Sequence, residues 1–72
     1  RIHVRMPYGS KILSLQVQGV TPSLWAEVDI TQRDEFRRFV FVPTSGFVPQ
    51  ASAYIGTVQI FELVWHIYEE TR

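Results

Sequence analysis

The chain has 72 residues, no cysteine and a formal net charge of zero, with seven basic side chains against seven acidic ones. That length holds one domain, residues 1–72, with a modest interior, and the missing cysteine excludes disulfides and thiolate zinc sites as sources of stability. The charge balance argues against duplex nucleic acid as a partner, because such binders carry a basic excess for the phosphates. No apolar run approaches the ~20 residues that span a bilayer, which argues against a membrane.

Residues 1–5 (RIHVR) alternate polar and apolar, the pattern of a half-buried strand. Pro7 to Ser10 (PYGS) is a turn by residue chemistry, since proline presets φ and glycine permits φ > 0. Residues 11–18 (KILSLQVQ) place Leu13, Leu15 and Val17 on one face and Ser14, Gln16 and Gln18 on the other. Gly19 to Pro22 reads as a hairpin connection. Residues 23–29 (SLWAEVD) alternate again, with Leu24, Ala26 and Val28 inward and Trp25, Glu27 and Asp29 outward. Thr31 to Glu35 is a polar connection that has room for one helical turn, because Thr31 with Asp34 loosely resembles a capping box.

Residues 36–42 (FRRFVFV) read as a strand, apolar on both faces over its second half. Pro43, Gly46 and Pro49 punctuate an irregular stretch to Ala53, in which Thr44–Ser45–Gly46 offers backbone N–H groups to an anion. Residues 54–60 (YIGTVQI) form a strand in which Gly56 marks a bulge or a close backbone approach. Residues 63–68 (LVWHIY) form the last strand, because their β-branched and aromatic residues outweigh the helix preference of the neighbouring glutamates. The expected fold is all-β, a small antiparallel sandwich or partly open barrel of about six strands.

The late strands carry apolar side chains on two faces. If Leu63, Trp65 and Ile67 fill the inside, then Val40, Val42, Val64 and Tyr68 point outward, or the reverse. Several exposed together make a sticky patch, which a homo-oligomer covers. Scattered surface apolar residues are the ordinary alternative.

No residues are arranged for chemistry. Neither His3 nor His66 belongs to a metal-ligand set, and no cofactor is implied. His66, between Trp65 and Ile67, reads first as a packed histidine with one hydrogen bond, and second as a ligand or base. No serine lies in a nucleophile elbow. Asp34–Glu35 and Glu69–Glu70 are adjacent on strands and so face opposite ways. Arg37 and Arg38 lead into an aromatic strand. With Trp25, Tyr54, Trp65 and His66 they are the candidates for a site that stacks a base and clamps a phosphate, against the plainer reading of a charged strand start.

Taken together, MPYGSKILSLQVQ (Met6 to Gln18), LWAEVD (Leu24 to Asp29), Arg38–Phe39, YIGT (Tyr54 to Thr57) and LVWHIYE (Leu63 to Glu69) resemble a family of small phage and prophage proteins described as a domain of unknown function. The likeness covers nearly the whole chain. It departs where the family has a GTG-like turn and this chain reads Pro43–Thr44–Ser45, and where a Gly-rich final hairpin is replaced by Ile60–Phe61–Glu62. The resemblance implies a bacteriophage accessory protein in the bacterial host cytoplasm, or alternatively in the virion, and carries no catalytic residues to transfer. Two functions are expected to compete, with a small hydrolase using His66 as its base a distant third, since no triad or metal set is readable. One is a non-enzymatic binder that sequesters a small anionic, nucleotide-type immune signal. The other is a structural or protein-interaction subunit, a virion decoration protein or an inhibitor of a host protein.

Overall fold

The structure is a computed structural model that describes residues 1–71. Six strands follow in order: β1 (Ile2–Pro7), β2 (Lys11–Gln18), β3 (Thr21–Glu27), β4 (Asp34–Pro43), β5 (Ser52–Ile60) and β6 (Leu63–Glu70). All pairings are antiparallel, in a four-stranded sheet of order β1-β4-β6-β5 and a two-stranded sheet β2-β3. The fold is therefore all-β, two sheets packed as a small sandwich and not closed into a barrel. No helix among the described residues is long and apolar enough to cross a membrane.

Register decides the two faces of the large sheet. Directly opposed residues share a face, so the pairs Ile2–Phe39, Phe41–Ile67 and Val58–Trp65 look one way. That side meets the β2-β3 hairpin. Met6, Phe39, Val58 and Ile67 form the buried centre, and Ile12, Leu15, Val17 and Leu24 of the hairpin pack on it. Phe39 and Ile67 are each only 1% exposed, and burying a side chain of that size contributes roughly 1.5–3 kcal/mol. The pairs Val40–Tyr68 and Val42–His66 look the other way, onto an outer face.

Two bulges set the parity of the packing. The β2-β3 register shifts between Ile12 and Ser14, and the β5-β6 register shifts between Tyr54 and Gly56. The first corrects the expected face of β2: Ile12, Leu15 and Val17 turn inward, while Leu13, at the extra position, is 57% exposed. The second bears out the reading of Gly56. A Cβ there would lie 3.1 Å from Leu15 Cδ2, so glycine lets β5 pass close under β2.

Several connections differ from their sequence reading. The β2-β3 turn is only Gly19–Val20, with Gly19 at φ +64, and Thr21 and Pro22 already belong to β3. Val28 lies past the end of β3 and is exposed, and Leu63 is exposed at the start of β6. Residues 29–33 form a single turn and no helix; the Asp29 carboxylate accepts from the Thr31 N–H (3.0 Å) and hydroxyl (2.6 Å), and the Gln32 N–H closes the turn on the Asp29 carbonyl (3.1 Å). The side-chain cap at Asp29 satisfies the backbone that a helical turn would otherwise use.

The link from β4 to β5 is the least local part of the fold. Both strands run antiparallel to β6, hence parallel to each other. β4 ends beside Trp65 and β5 begins beside Glu70, so residues 44–51 must travel back along β6. The hairpin occupies the inner face, and this segment takes the outer one, where a Cβ on Gly46 would lie 2.9 Å from Val42 Cγ1. Val42 is buried there although it faces away from the core. The Gly46 N–H donates to the Pro43 carbonyl (2.8 Å), the Ser52 hydroxyl to the Pro49 carbonyl (2.7 Å) and the Thr71 N–H to the Ala51 carbonyl (2.8 Å).

Candidate functional site

A recess of about 680 Å³ opens where β4 extends past the end of β6. Its base is the turn after β1, held by the Ser10 N–H on the Pro7 carbonyl (3.1 Å) with Gly9 at φ +78. At its centre Arg37 reaches across the inner face to Glu69. The guanidinium donates Nε–H to one carboxylate oxygen (2.5 Å) and Nη2–H to the other (2.7 Å). Nη1 donates to the Ser10 carbonyl and approaches Met6 Sδ at 3.5 Å. The Arg37 and Glu69 side chains are 16% and 15% exposed. The hydrogen bonds to Glu69 raise the guanidinium's affinity for its proton, against the opposing effect of burial.

This geometry makes Arg37 a strut that ties β4, β6 and the β1-β2 turn together, and spends four of its five N–H donors within the chain. Arg38, next in sequence, points to the outer face beside Glu70 and lines the same recess from the other side of the sheet. Glu35, Glu69 and Glu70 also line the recess, and Arg1 pairs with Glu70. With Arg1 counted, three carboxylates face three guanidiniums, which gives no net attraction for a phosphate.

A second cluster lies on the outer face. The Thr57 hydroxyl bonds His66 Nδ1 (2.9 Å) and also the Tyr54 hydroxyl. Tyr54 meets Tyr68 edge to face, with ring centroids 5.5 Å apart. His66 is thus half-buried with a hydrogen bond, as the first sequence reading had it. Among the described residues no carboxylate hydrogen-bonds this ring, so the cluster lacks the orienting group of a catalytic triad.

Of the six candidate binding residues only Arg37 and Arg38 line a common recess, and the six as a set do not converge. Tyr54, His66 and Arg38 share the outer face; Trp65 and Arg37 lie on the inner one; Trp25 is exposed on the hairpin. The Thr44–Gly46 turn spends the Gly46 N–H on Pro43 rather than offering it to an anion. Of the expected oligomer interface, Val40, Val64 and Tyr68 are half-buried on the outer face, and Val42 is closed off by the chain's own crossover. Sequence reasoning missed Glu69 as the partner of Arg37 and Thr57 as the partner of His66. Both contacts span strands, and only the register reveals them.

Fold and site together define a small two-sheet antiparallel β protein whose polar clusters serve its own architecture. All 72 residues match one family, described as domain of unknown function DUF7352, and the chain belongs to it. No curated protein and no solved structure matches it.

Proposed function

We propose that this chain is a non-enzymatic interaction module of a bacteriophage or prophage, a structural subunit or an inhibitor of a host protein, working in the host cytoplasm or in the virion. One observation carries the reading. Phe36, Phe47 and Phe61 are 68%, 98% and 80% exposed in a chain that buries few large side chains. Aromatic rings anchor protein interfaces, and a monomer gains nothing by wetting three of them. Sequestration of a nucleotide-type signal draws less support, because Arg37 is consumed by Glu69 and Ser10. Among the described residues no group of three or more His, Cys, Asp or Glu side chains is placed to hold a metal ion.

The test is affinity capture from infected cells with the tagged chain and with a variant carrying serine at Phe36, Phe47 and Phe61. The reading expects a protein recovered by the first and lost by the second, with its location fixed by fractionating virions from cytosol. Identical recoveries would refute it. So would calorimetry showing micromolar binding of a cyclic dinucleotide that Arg38→Ala abolishes, which would restore the small-ligand reading.

A further inference from the structure

The β5-β6 hairpin turns through Phe61 and Glu62, and Phe61 has φ +55. That is the left-handed region, where a bulky L side chain is strained and glycine is at ease. The ring gains nothing from its own chain in return, since it stands 80% exposed. Strain held at an exposed aromatic points to use by a partner.

Next to this knob is a hole. Pro43, Thr44, Leu63, Val64 and Trp65, with Glu62 on one side, wall a notch of about 280 Å³ at the same end of the sheet. An apolar cavity of about 150 Å³ already takes a benzene ring, so the notch accommodates a phenyl group. A knob and a hole side by side on one surface satisfy the rule of a two-fold interface, in which each copy gives what it receives. The charge pattern agrees. Every charged side chain except Glu62 lies within residues 1–38 or 69–72, and the register gathers those of the large sheet at the far end from Phe61. Among the described residues a lipid surface would find no cation at this end, whereas a like apolar surface faces no repulsion beyond the Glu62 carboxylate. Leu63, at the foot of the turn, is 61% exposed. With Phe61, two copies of these side chains offer on the order of 600 Å², the scale of a weak interface that forms at high concentration.

We infer that a second copy of this chain docks here, with the Phe61 ring of each protomer seated in the partner's notch. This deepens the interaction reading above and rests on it. The expected assembly is a dimer of twice 8.4 kDa, built on the hairpin tip and distinct from an interface centred on Val40 and Val42.

Light scattering after size exclusion, from low micromolar to millimolar protein, tests it. Wild type is expected to shift from monomer toward dimer. Phe61→Gly relieves the turn while removing the knob, so it should stay monomeric, at least about ten-fold weaker in association, with an unchanged or higher melting temperature. Thr44→Trp fills the notch, leaves the turn alone, and should give the same loss. A dimer that persists in Phe61→Gly overturns this inference and leaves the interaction reading standing. A wild type that stays monomeric to millimolar concentration also overturns it. In that case, a captured foreign protein or co-sedimentation with phosphatidylserine vesicles assigns the tip to another partner.

Discussion

Replacing Arg37 with methionine isolates the strut between β4 and β6. The substitution keeps much of the aliphatic stem and removes the guanidinium, so Glu69 keeps its place on the inner face but loses both of its bonds, and the Ser10 carbonyl loses its donor. Both side chains of the pair are about 15% exposed, which puts the site well inside the range where an orphaned charge is costly. Breaking one side of a buried pair costs about 3 kcal/mol. A domain of this length holds roughly 4–11 kcal/mol in total, so the loss is a large share of it and lowers the melting temperature by about 12–24 °C. Glu69→Met alone should cost a similar amount, because it strands the cation instead. The double substitution should recover most of the loss, since an apolar pair of similar volume replaces a buried ion pair with little penalty. Urea unfolding followed by the fluorescence of Trp25 and Trp65 measures all four members of the cycle. If Arg37→Met costs under about 1 kcal/mol, or if the double variant is as unstable as the sum of the singles, the pair is not the strut described here. Arg37 then becomes available again as a ligand clamp.

Other outcomes follow from single contacts. Phe39→Ala, at the centre of the core and 1% exposed, is expected to cost about 3–5 kcal/mol and to leave the chain largely unfolded by circular dichroism at 37 °C. Gly46→Ala sets a Cβ 2.9 Å from both the Pro43 carbonyl oxygen and Val42 Cγ1; since the carbonyl is backbone and cannot swing aside, the crossover should lift off, costing about 1–3 kcal/mol and raising amide exchange at residues 44–51. Asp29 has its pKa lowered by the Thr31 hydroxyl and then by the Thr31 N–H. A carboxylate depressed on folding contributes stability above its unfolded pKa of about 3.9 and loses it as pH falls through the lower folded value. The Thr31 amide resonance should therefore move below about pH 4, and an Asp29→Ala variant should show the moved position at neutral pH.

The strands themselves were legible in the residues. Alternation at period two and the chemistry of Pro7–Ser10, Gly19 and Gly56 located all six, each end to within two residues, because both signals are carried by a few neighbouring side chains. The face assignment failed at Leu13 for a definable reason. Ile12, Leu13 and Leu15 cannot all obey one parity, and the bulge resolves the conflict in favour of Ile12 and Leu15. The hairpin tip was also readable in principle, since Ile60–Phe61–Glu62 offers no glycine for a turn that requires a positive φ. Arg37 and Arg38 line one recess from opposite sides of the sheet, because neighbours on a strand point to opposite faces.

Local chemistry alone settled that this is an all-β chain, where its turns fall and that its later strands are apolar on two sides. Tertiary structure decided the rest. It inserted β6 between β4 and β5, sent residues 44–51 over Val42, and set Glu69 against Arg37 at a separation of 32 residues. Such pairings follow from how two sheets share one small core, and a strand's own residues do not encode which neighbour it will meet. The side chains left in solvent at the charge-poor end, Phe61 foremost, are the product of that packing and the place where a partner is to be sought.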